Sequence, residues 1–431
     1  MSPRIDPVNT STMIPTQSTV VIIGGGIIGL VAALNLAERN IPVVVVEKGK
    51  LAAEQSSRNL GWVRKTSRLP EDIPLAQAAD RLWAKMAERV GSDVGYRQAG
   101  IMFVAGQAEQ MVTHERWFEH VKHLQLDSAL LSSAEIARRV PGGNRAWAGG
   151  IFTPSDGRAE PTKAVSAIAK AAQRLGAVIV ENCAVRSLIT SGGRISGVLT
   201  ERGEIMCEQV LLAAGAWSRR FLMNHHIALP ILPLICSVLQ TKPLKGPTDI
   251  AVGAPDFSFR RHHTGGLIVT QRGALDAPLT LDHMLIGLRY RQQLKQGRSN
   301  LRIGFGRYSF QDLWLARHWK ENQRTPFEQV RTLDPQVNSG LNQEALKNLI
   351  EAWPAFKAAQ IAQQWAGVID VTPDSNPVIG PVTSLPGLVL ATGFSGHGFG
   401  TSPAAGQLAA DILSGQSALV DPAPYRYERL S

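Results

Sequence analysis

The first fifty residues alternate between buried apolar runs and one amphipathic stretch. Residues 19–23 form a short β-branched run, and residues 42–46 form a second one that ends at Glu47. Between them, apolar residues recur over positions 30–37 at the spacing of one helix face. The pattern predicts a strand–helix–strand unit.

Further along the chain, two apolar runs at residues 210–214 and 387–393 end in small residues, and a helix is expected to open at Pro403. The middle of the chain has shorter, strand-like runs. A mixed sheet is therefore predicted from residues 96–104, 147–153, 235–240, 257–261 and 266–270. The fold class is expected to be α/β (α+β overall), with a Rossmann-like domain and a mixed-sheet domain.

Composition is that of a folded globular protein. The 431 residues include 44% hydrophobic and 19% charged residues, which excludes bulk disorder and fibrous repeats. Cys183, Cys207 and Cys236 lie far apart, which excludes a disulfide framework and a cysteine zinc site of ordinary spacing. Residues 1–17 lack a signal-peptide pattern, and no apolar run reaches the roughly 18 residues of a membrane span. A cytoplasmic location is expected.

The chain is basic, with 45 Lys and Arg against 35 Asp and Glu and a formal net charge of +10. The basic residues cluster only modestly, and aromatic residues are not interleaved with them, so nucleic-acid binding is the weaker interpretation. A solvated face, weak contact with a membrane surface, or attraction of an anionic substrate remain open. The two clusters are Arg58, Arg64, Lys65 and Arg68, and Arg289, Arg291, Lys295 and Arg298.

The first strand runs into GGGIIG, which matches GxGxxG at Gly24, Gly26 and Gly29. Such glycines permit a tight turn, close approach of the backbone to a pyrophosphate, and close packing of helix on strand. Glu47 stands where an acid bonds a ribose hydroxyl, and it disfavours a 2′-phosphate without separating FAD from NAD. A second glycine-rich turn at residues 393–400 suggests a ligand too large for one strand–helix–strand unit.

Together these motifs resemble the D-amino-acid oxidase superfamily of FAD-dependent amine and amino-acid oxidoreductases, over residues 18–415. Within it, TPFE at residues 325–328 and WPAF at residues 353–356 resemble the bacterial amino-acid deaminase branch. The motifs that carry the superfamily resemblance are GGGIIG, VVEKG, SSRNLGW, LLAAGAWS, QQWAGVIDVTPDSNPVIG and ATGFSGHGFGTSP.

The resemblance implies a glutathione-reductase-type FAD-binding domain, built from residues 1–95, 155–228 and 360–431. The substrate domain would comprise residues 96–154 and 229–359, with an insertion at about 275–330. The cofactor-binding residues implied are Gly24, Gly26, Ile28, Gly29, Glu47, Lys48, Ser56, Ser57, Arg58, Asn59, Val185, Gly215, Trp217, Gly393, Gly396, His397 and Gly398.

Two positions depart from family patterns. Gly367 stands where some relatives carry a flavin-linking cysteine, so we expect FAD to be noncovalent. Ile369 stands where several D-amino-acid dehydrogenases carry the arginine that binds the substrate carboxylate. A planar guanidinium suits bidentate carboxylate binding, so a strand arginine is the expected replacement. The substrate-binding candidates are Arg260, Arg261, Trp62, Gln98, Ile369 and His397, and Arg289 is a further candidate.

The expected reaction is oxidative deamination of an α-amino acid to a 2-oxo acid and ammonia through an imine. A secondary-amine oxidase acting on sarcosine-like, opine-like or N-alkyl substrates is the alternative, and an NAD-dependent dehydrogenase is a weaker one. Oxygen or a quinone of a respiratory chain would reoxidise the flavin. Chirality and side-chain preference stay open, and no catalytic triad is evident. The adjacent pairs His225–His226 and His262–His263 lack metal-ligand spacing.

Overall fold

The computed structural model of the protein describes residues 2–291 and 301–430. Its strands, β1 to β21 in chain order, are Val20–Ile23, Val43–Val46, Trp62–Val63, Ile101–Ala105, Ala129–Leu131, Gly149–Thr153, Gly157–Arg158, Val178–Val180, Val185–Ser191, Arg194–Thr200, Gly203–Met206, Gln209–Leu212, Leu232–Thr241, Ala251–Gly253, Ser258–Arg261, Leu267–Thr270, Leu275–Pro278, Leu301–Gly304, Ile361–Val371, Val378–Pro381 and Leu388–Thr392.

The α-helices of the described residues run from α1 to α12. They are Ile27–Glu38, Gln55–Arg58, Ile73–Val90, Ala108–Val121, Ser133–Arg139, Pro161–Arg174, Ser218–Met223, Leu281–Ile286, Arg307–Trp314, Pro326–Gln329, Ser339–Ala352 and Gly398–Ser414. Within residues 2–291 and 301–430, no helix combines the length and the apolar character needed to cross a bilayer.

A six-stranded sheet, in the order β20-β21-β12-β1-β2-β8, forms one half of the molecule. All its neighbouring pairs are parallel except β20–β21. Helices α1, α3, α6 and α12 cover one face, and the three-stranded sheet β9–β11 packs on the other. The predicted strand–helix–strand unit is confirmed. Because β1, β2, β12 and β21 are parallel, the residues that follow them meet at one edge of the sheet.

A ten-stranded mixed sheet forms the other half, and it contains all five predicted strand segments of the middle region. Its strands β13 and β19 pair over almost their whole length, from Leu232–Val371 to Thr241–Ile361. Strand β19 lies within residues 360–431, which we assigned to the FAD-binding domain, yet it pairs in this second sheet. It thereby links the two halves, and the domain division stays a prediction.

Helix α12 begins five residues before the predicted position, at Gly398, so Pro403 lies inside it. Proline cannot donate a hydrogen bond to the carbonyl four residues earlier, which is that of Phe399. The buried Ser402 hydroxyl donates to this carbonyl oxygen instead, at 2.8 Å. The helix therefore tolerates the proline, and its N-terminus lies at the glycine-rich turn.

Candidate active site

A cavity of about 440 Å³ lies between the carboxyl edge of the six-stranded sheet and the ten-stranded sheet. One end is lined by the first glycine turn, Glu47 and Val185. The other end is lined by Trp62, Phe103 and residues of β13, β15 and β16. The predicted cofactor residues in its wall are Gly24, Gly26, Ile28, Glu47, Lys48, Ser56, Arg58, Asn59, Val185, Gly215, Trp217, Gly396, His397 and Gly398.

The N-terminus of α1 forms the floor of the first end. The first N–H groups of a helix have no intrahelical acceptor, and the positive end of the helix dipole lies there. The Ser56 hydroxyl accepts only one of them, the N–H of Ile27, at 2.9 Å. A Cβ on Gly29 would stand 2.4 Å from the carbonyl oxygen of Gly24, so only glycine allows α1 to begin this close to β1. These features fit a pyrophosphate.

The Glu47 carboxylate is held in place by the backbone. Its Oε2 accepts the N–H of Gly25, and its Oε1 accepts the N–H of Gly49, each at 2.8 Å. Burial raises the pKa of Glu47, and Lys48 and the two N–H groups oppose this effect. Each oxygen retains a lone pair, so the side chain can accept a ribose hydroxyl as expected. With the α1 N-terminus, this position fits the adenosine half of FAD.

Two predicted cofactor residues form ion pairs and hydrogen bonds within the protein. The Lys48 ammonium donates to Glu54 and to the carbonyl oxygens of Val330 and Arg331, so it joins this turn to the end of the insertion. Arg58, which is 3% exposed, donates to Asp334 and to the carbonyl oxygen of Ala366. Both side chains line the cavity, but their charges are already engaged.

Three predicted cofactor residues do not line the cavity. Gly29 lies behind the turn, where it allows the close packing described above. The Ser57 side chain is buried on the other side of α2 and borders a second cavity. Gly393 is one residue beyond β21, and its N–H donates to Asp370 at 2.8 Å. Ser56 and Ser57 lie within α2 and do not cap it.

Arg260 and Arg261, the expected carboxylate ligands, lie outside the cavity wall. Arg260 is 1% exposed and donates two hydrogen bonds to the Glu160 carboxylate, at 2.6 and 3.0 Å. Arg261 pairs with Asp249 and donates to two carbonyl oxygens. Neighbouring residues of a strand point to opposite faces, but neither face of β15 presents its arginine to the cavity. Gln98 is exposed outside the cavity, whereas Trp62, Ile369 and His397 line it.

Other arginines lie in the cavity wall. Arg64, Arg68 and Arg272 line the end of the cavity that contains Phe103. Arg64 follows the short strand β3, and Arg272 follows β16. Arg64 and Arg68 belong to a basic cluster noted in the sequence. Arg64 stands directly after β3 and Arg272 two residues after the end of β16, and an arginine just beyond a strand is the signal that could have identified both.

His397 is a neutral hydrogen-bond partner of Arg64, with 3.0 Å between its Nε2 and the guanidinium. Burial holds the pKa of His397 well below its ordinary value, and the charges of Arg68 and Arg64 lower it further. A guanidinium only donates, so Nε2 accepts and the imidazole proton lies on Nδ1. His397 immediately precedes α12, and its Nδ1–H is a hydrogen-bond donor.

The second cavity brings Glu160 together with His262 and His263, whose ligand-type atoms lie within 4.8 Å of one another. The spacing of the adjacent histidines did not indicate a metal site, because Glu160 is remote from them in the chain. Its carboxylate already accepts two hydrogen bonds from Arg260.

The second basic cluster of the sequence lies only partly within the described residues. Its Arg289 donates to the carbonyl oxygen of Leu430, whereas Lys295 and Arg298 lie outside the described residues.

Known proteins agree with this geometry. The DAO family of FAD-dependent oxidoreductases matches residues 19–412. A structure of L-amino acid deaminase from Proteus myxofaciens in complex with anthranilate is 30% identical, with a TM-score of 0.95, and the match covers 100% of this chain and 97% of that one.

Two curated relatives extend the comparison. Glycine oxidase from Pseudomonas aeruginosa is 27% identical over 94% of this chain and 97% of its own length. The sarcosine oxidase β subunit of an Arthrobacter species is 24% identical over 95% of this chain and 90% of its own length. The family match extends over nearly the whole chain and includes both halves of the cavity. The protein therefore belongs to the DAO family of FAD-dependent oxidoreductases, flavoenzymes that act on amino acids or amines.

Proposed function

We propose that this flavoenzyme oxidatively deaminates an α-amino acid, giving a 2-oxo acid and ammonia. The observation that carries the proposal is one continuous cavity with the α1 N-terminus and Glu47 at one end and guanidinium groups at the other. Noncovalently bound FAD supplies the two-electron oxidant for the Cα–H bond of the substrate amine. The imine that leaves the site hydrolyses in water.

Arg272 is the proposed carboxylate anchor. Its guanidinium is in the cavity wall, lies 4.2 Å from the centre of the Phe103 ring, and makes no hydrogen bond or ion pair with residues 2–291 or 301–430. A free planar fork of donors suits a carboxylate. The apolar side chains of Trp62, Phe103 and Ile369 would exclude water around Cα while the carboxylate is held.

The N-terminus of α12 and His397 are proposed to face the cofactor ring. The helix dipole favours negative charge at this end. The Nδ1–H of His397 adds a donor, which Arg64 orients by occupying Nε2. Neither His397 nor Arg64 acts as a base in this proposal, because an amine that binds in its neutral form has no proton to lose before oxidation.

Anaerobic mixing of the FAD-loaded protein with separate pools of D- and L-amino acids tests the proposal. One pool is expected to bleach the flavin absorbance, which also reveals the chirality. Return of the colour in air identifies oxygen as an acceptor, and return only with a quinone identifies a dehydrogenase. Arg272→Met is expected to raise KM while FAD content stays unchanged, and Arg97→Met, at an exposed arginine, serves as its control. Failure of every amine to bleach the flavin would contradict the proposal.

Secondary amines are the alternative substrate class. A sarcosine oxidase subunit is among the relatives, and sarcosine is an N-methyl amino acid, which favours this test. The same anchor would hold the carboxylate, and only the space around the amine would differ. Faster bleaching by N-methyl amino acids than by the corresponding primary amines would select this alternative.

We also propose that the insertion makes weak contact with a membrane surface. Leu288 and Trp314 are each 87% exposed, and Met284 and Phe305 are each 70% exposed, all within residues 284–314. A basic segment with apolar residues can bind anionic lipid in a salt-sensitive way. Co-sedimentation with phosphatidylglycerol vesicles is expected at low salt and is expected to weaken in Leu288→Ser/Trp314→Ser. Equal binding of this variant and the wild type would contradict the proposal.

A further inference from the structure

Two guanidinium groups at the substrate end of the cavity make no contact with a carboxylate of the described residues. Arg64 and Arg272 lie 5.4 and 4.2 Å from the centre of the Phe103 ring, so both guanidinium groups lie beside the same ring. Desolvation and, to a smaller extent, the charge of Arg64 together lower the pKa of Arg272 to about 9. Both groups still carry a full charge at neutral pH.

No protein carboxylate pairs with either group among residues 2–291 and 301–430. Arg64 donates to the carbonyl oxygen of Thr66 and to neutral His397, and Arg272 makes no hydrogen bond or ion pair. Arg68, by contrast, is paired with Asp72 one helical turn away. The uncompensated charge is therefore confined to Arg64 and Arg272.

No other acidic group around this end contacts Arg64 or Arg272 within the described residues. Asp156 raises the pKa of Arg64 through space, but its own contacts are with Lys65, which also pairs with Asp80, and with the backbone and hydroxyl of Thr66. His114, near Arg272, is neutral because burial lowers its pKa to about 4. The acidic residues in the cavity wall are Glu47, Glu54 and Asp370, which hydrogen-bond elsewhere.

We infer that the substrate is an amine carrying two carboxylates, one bound by Arg272 and the other by Arg64. This inference rests on the proposed function of amine oxidation and adds the charge of the substrate. A substrate with one carboxylate would leave one of the two guanidinium groups without an anionic partner, whereas a second carboxylate gives each group one. Two carboxylates neutralise the guanidinium groups of both Arg64 and Arg272.

Two kinds of amine carry two carboxylates, and matched pairs of substrates distinguish them. In an acidic amino acid the second carboxylate ends the side chain, and in an N-carboxymethyl amine it is attached through nitrogen. Glutamate against glutamine tests the first source, and iminodiacetate against sarcosine tests the second. Each pair differs at the second carboxylate, and the rate constants for anaerobic flavin bleaching are compared for both enantiomers of the first pair.

In at least one pair, the dicarboxylate is expected to bleach the flavin more efficiently by roughly tenfold or more. Arg64→Gln removes the charge but keeps an N–H donor for His397, and it is expected to abolish most of this preference. Arg97→Met again controls for loss of a positive charge elsewhere. Equal efficiencies within both pairs, or an equal loss for both members of a pair in Arg64→Gln, would overturn the inference.

A binding measurement separates this inference from the reaction itself. Glutarate and butyrate cannot be oxidised as amines, so their binding is followed by the shift of the flavin spectrum. Glutarate or succinate is expected to bind more tightly than butyrate, and Arg64→Gln is expected to remove the difference. This result with no bleaching by any amine would support the dicarboxylate site and contradict the reaction. Tighter binding of butyrate would overturn the site.

Discussion

At the scale of single residues, we predict that FAD binding requires glycine at position 29. In Gly29→Ala the new Cβ would stand 2.4 Å from the backbone oxygen of Gly24, which cannot move aside without opening the pyrophosphate turn. The variant is expected to lose most of its FAD, measured as flavin absorbance per polypeptide after purification. Gly287→Ala is the matched control, because a Cβ there would meet no atom within 4 Å among the described residues apart from its neighbours in the chain. Equal flavin content in the two variants would contradict this account of the turn.

The Arg260–Glu160 pair contributes to folding rather than to substrate binding. Burial alone would raise the pKa of Glu160, but Arg260 holds it below its ordinary value. A carboxyl group with a lowered pKa stabilises the fold above its unfolded pKa, and this contribution is lost as the pH falls through the folded pKa. Arg260→Met is therefore expected to lose about 3–5 kcal/mol of unfolding free energy at neutral pH, and less below about pH 4.

Urea unfolding at several pH values measures this effect. Arg261→Met is the control, since its partner Asp249 is largely exposed and such pairs contribute about 1 kcal/mol or less. Equal losses in the two variants at neutral pH would show that the buried pair is not special. A large rise in KM for Arg260→Met, with intact stability, would return Arg260 to the substrate site.

At the scale of elements, α1 and α12 cross closely behind the cavity. A Cβ on Gly406 would lie 2.6 Å from the Cβ and Cγ1 of Val31, so α12 can approach α1 only because it has no side chain there. Gly406→Ala is expected to lower the unfolding free energy by about 1–3 kcal/mol, because overpacking displaces the helices. Gly340→Ala, in the first turn of α11, is the control. An unchanged urea midpoint in Gly406→Ala would contradict this account of the crossing.

The hydrophobic pattern of the sequence predicted the strands and helices better than it predicted the contacts between them. The unit β1–α1–β2 and the five strands of the mixed sheet follow from residues close together in the chain. The two arginines of β15 show the limit, because alternation separates the two faces of a strand but does not say what each face meets. Arg260 meets Glu160, which is a hundred residues away in the chain. Arg64 and Arg272 come together only through the sheet and the Phe103 ring.

At the scale of the molecule, FAD would join the two halves. The glycine turn and Glu47 belong to the six-stranded sheet, and Phe103 and Arg272 belong to the ten-stranded side of the cavity. Strand β19 links the two sheets, and its residues Gly367 to Asp370 line the cavity between them. A ligand that reaches both ends therefore stabilises the assembly of both halves, whereas a fragment contacts only one.

Removal of FAD is consequently expected to lower the melting temperature. A ligand that binds only the folded protein stabilises it by about 2.7 kcal/mol at a free concentration one hundred times Kd. Adding FAD back to the apoprotein is expected to restore the holoprotein melting temperature in a concentration-dependent way. ADP, which can occupy only the end with Glu47, is expected to bind more weakly and therefore to restore less than FAD at equal free concentration. Equal restoration by FAD and ADP at equal concentration would show that contacts beyond the end with Glu47 add no binding free energy.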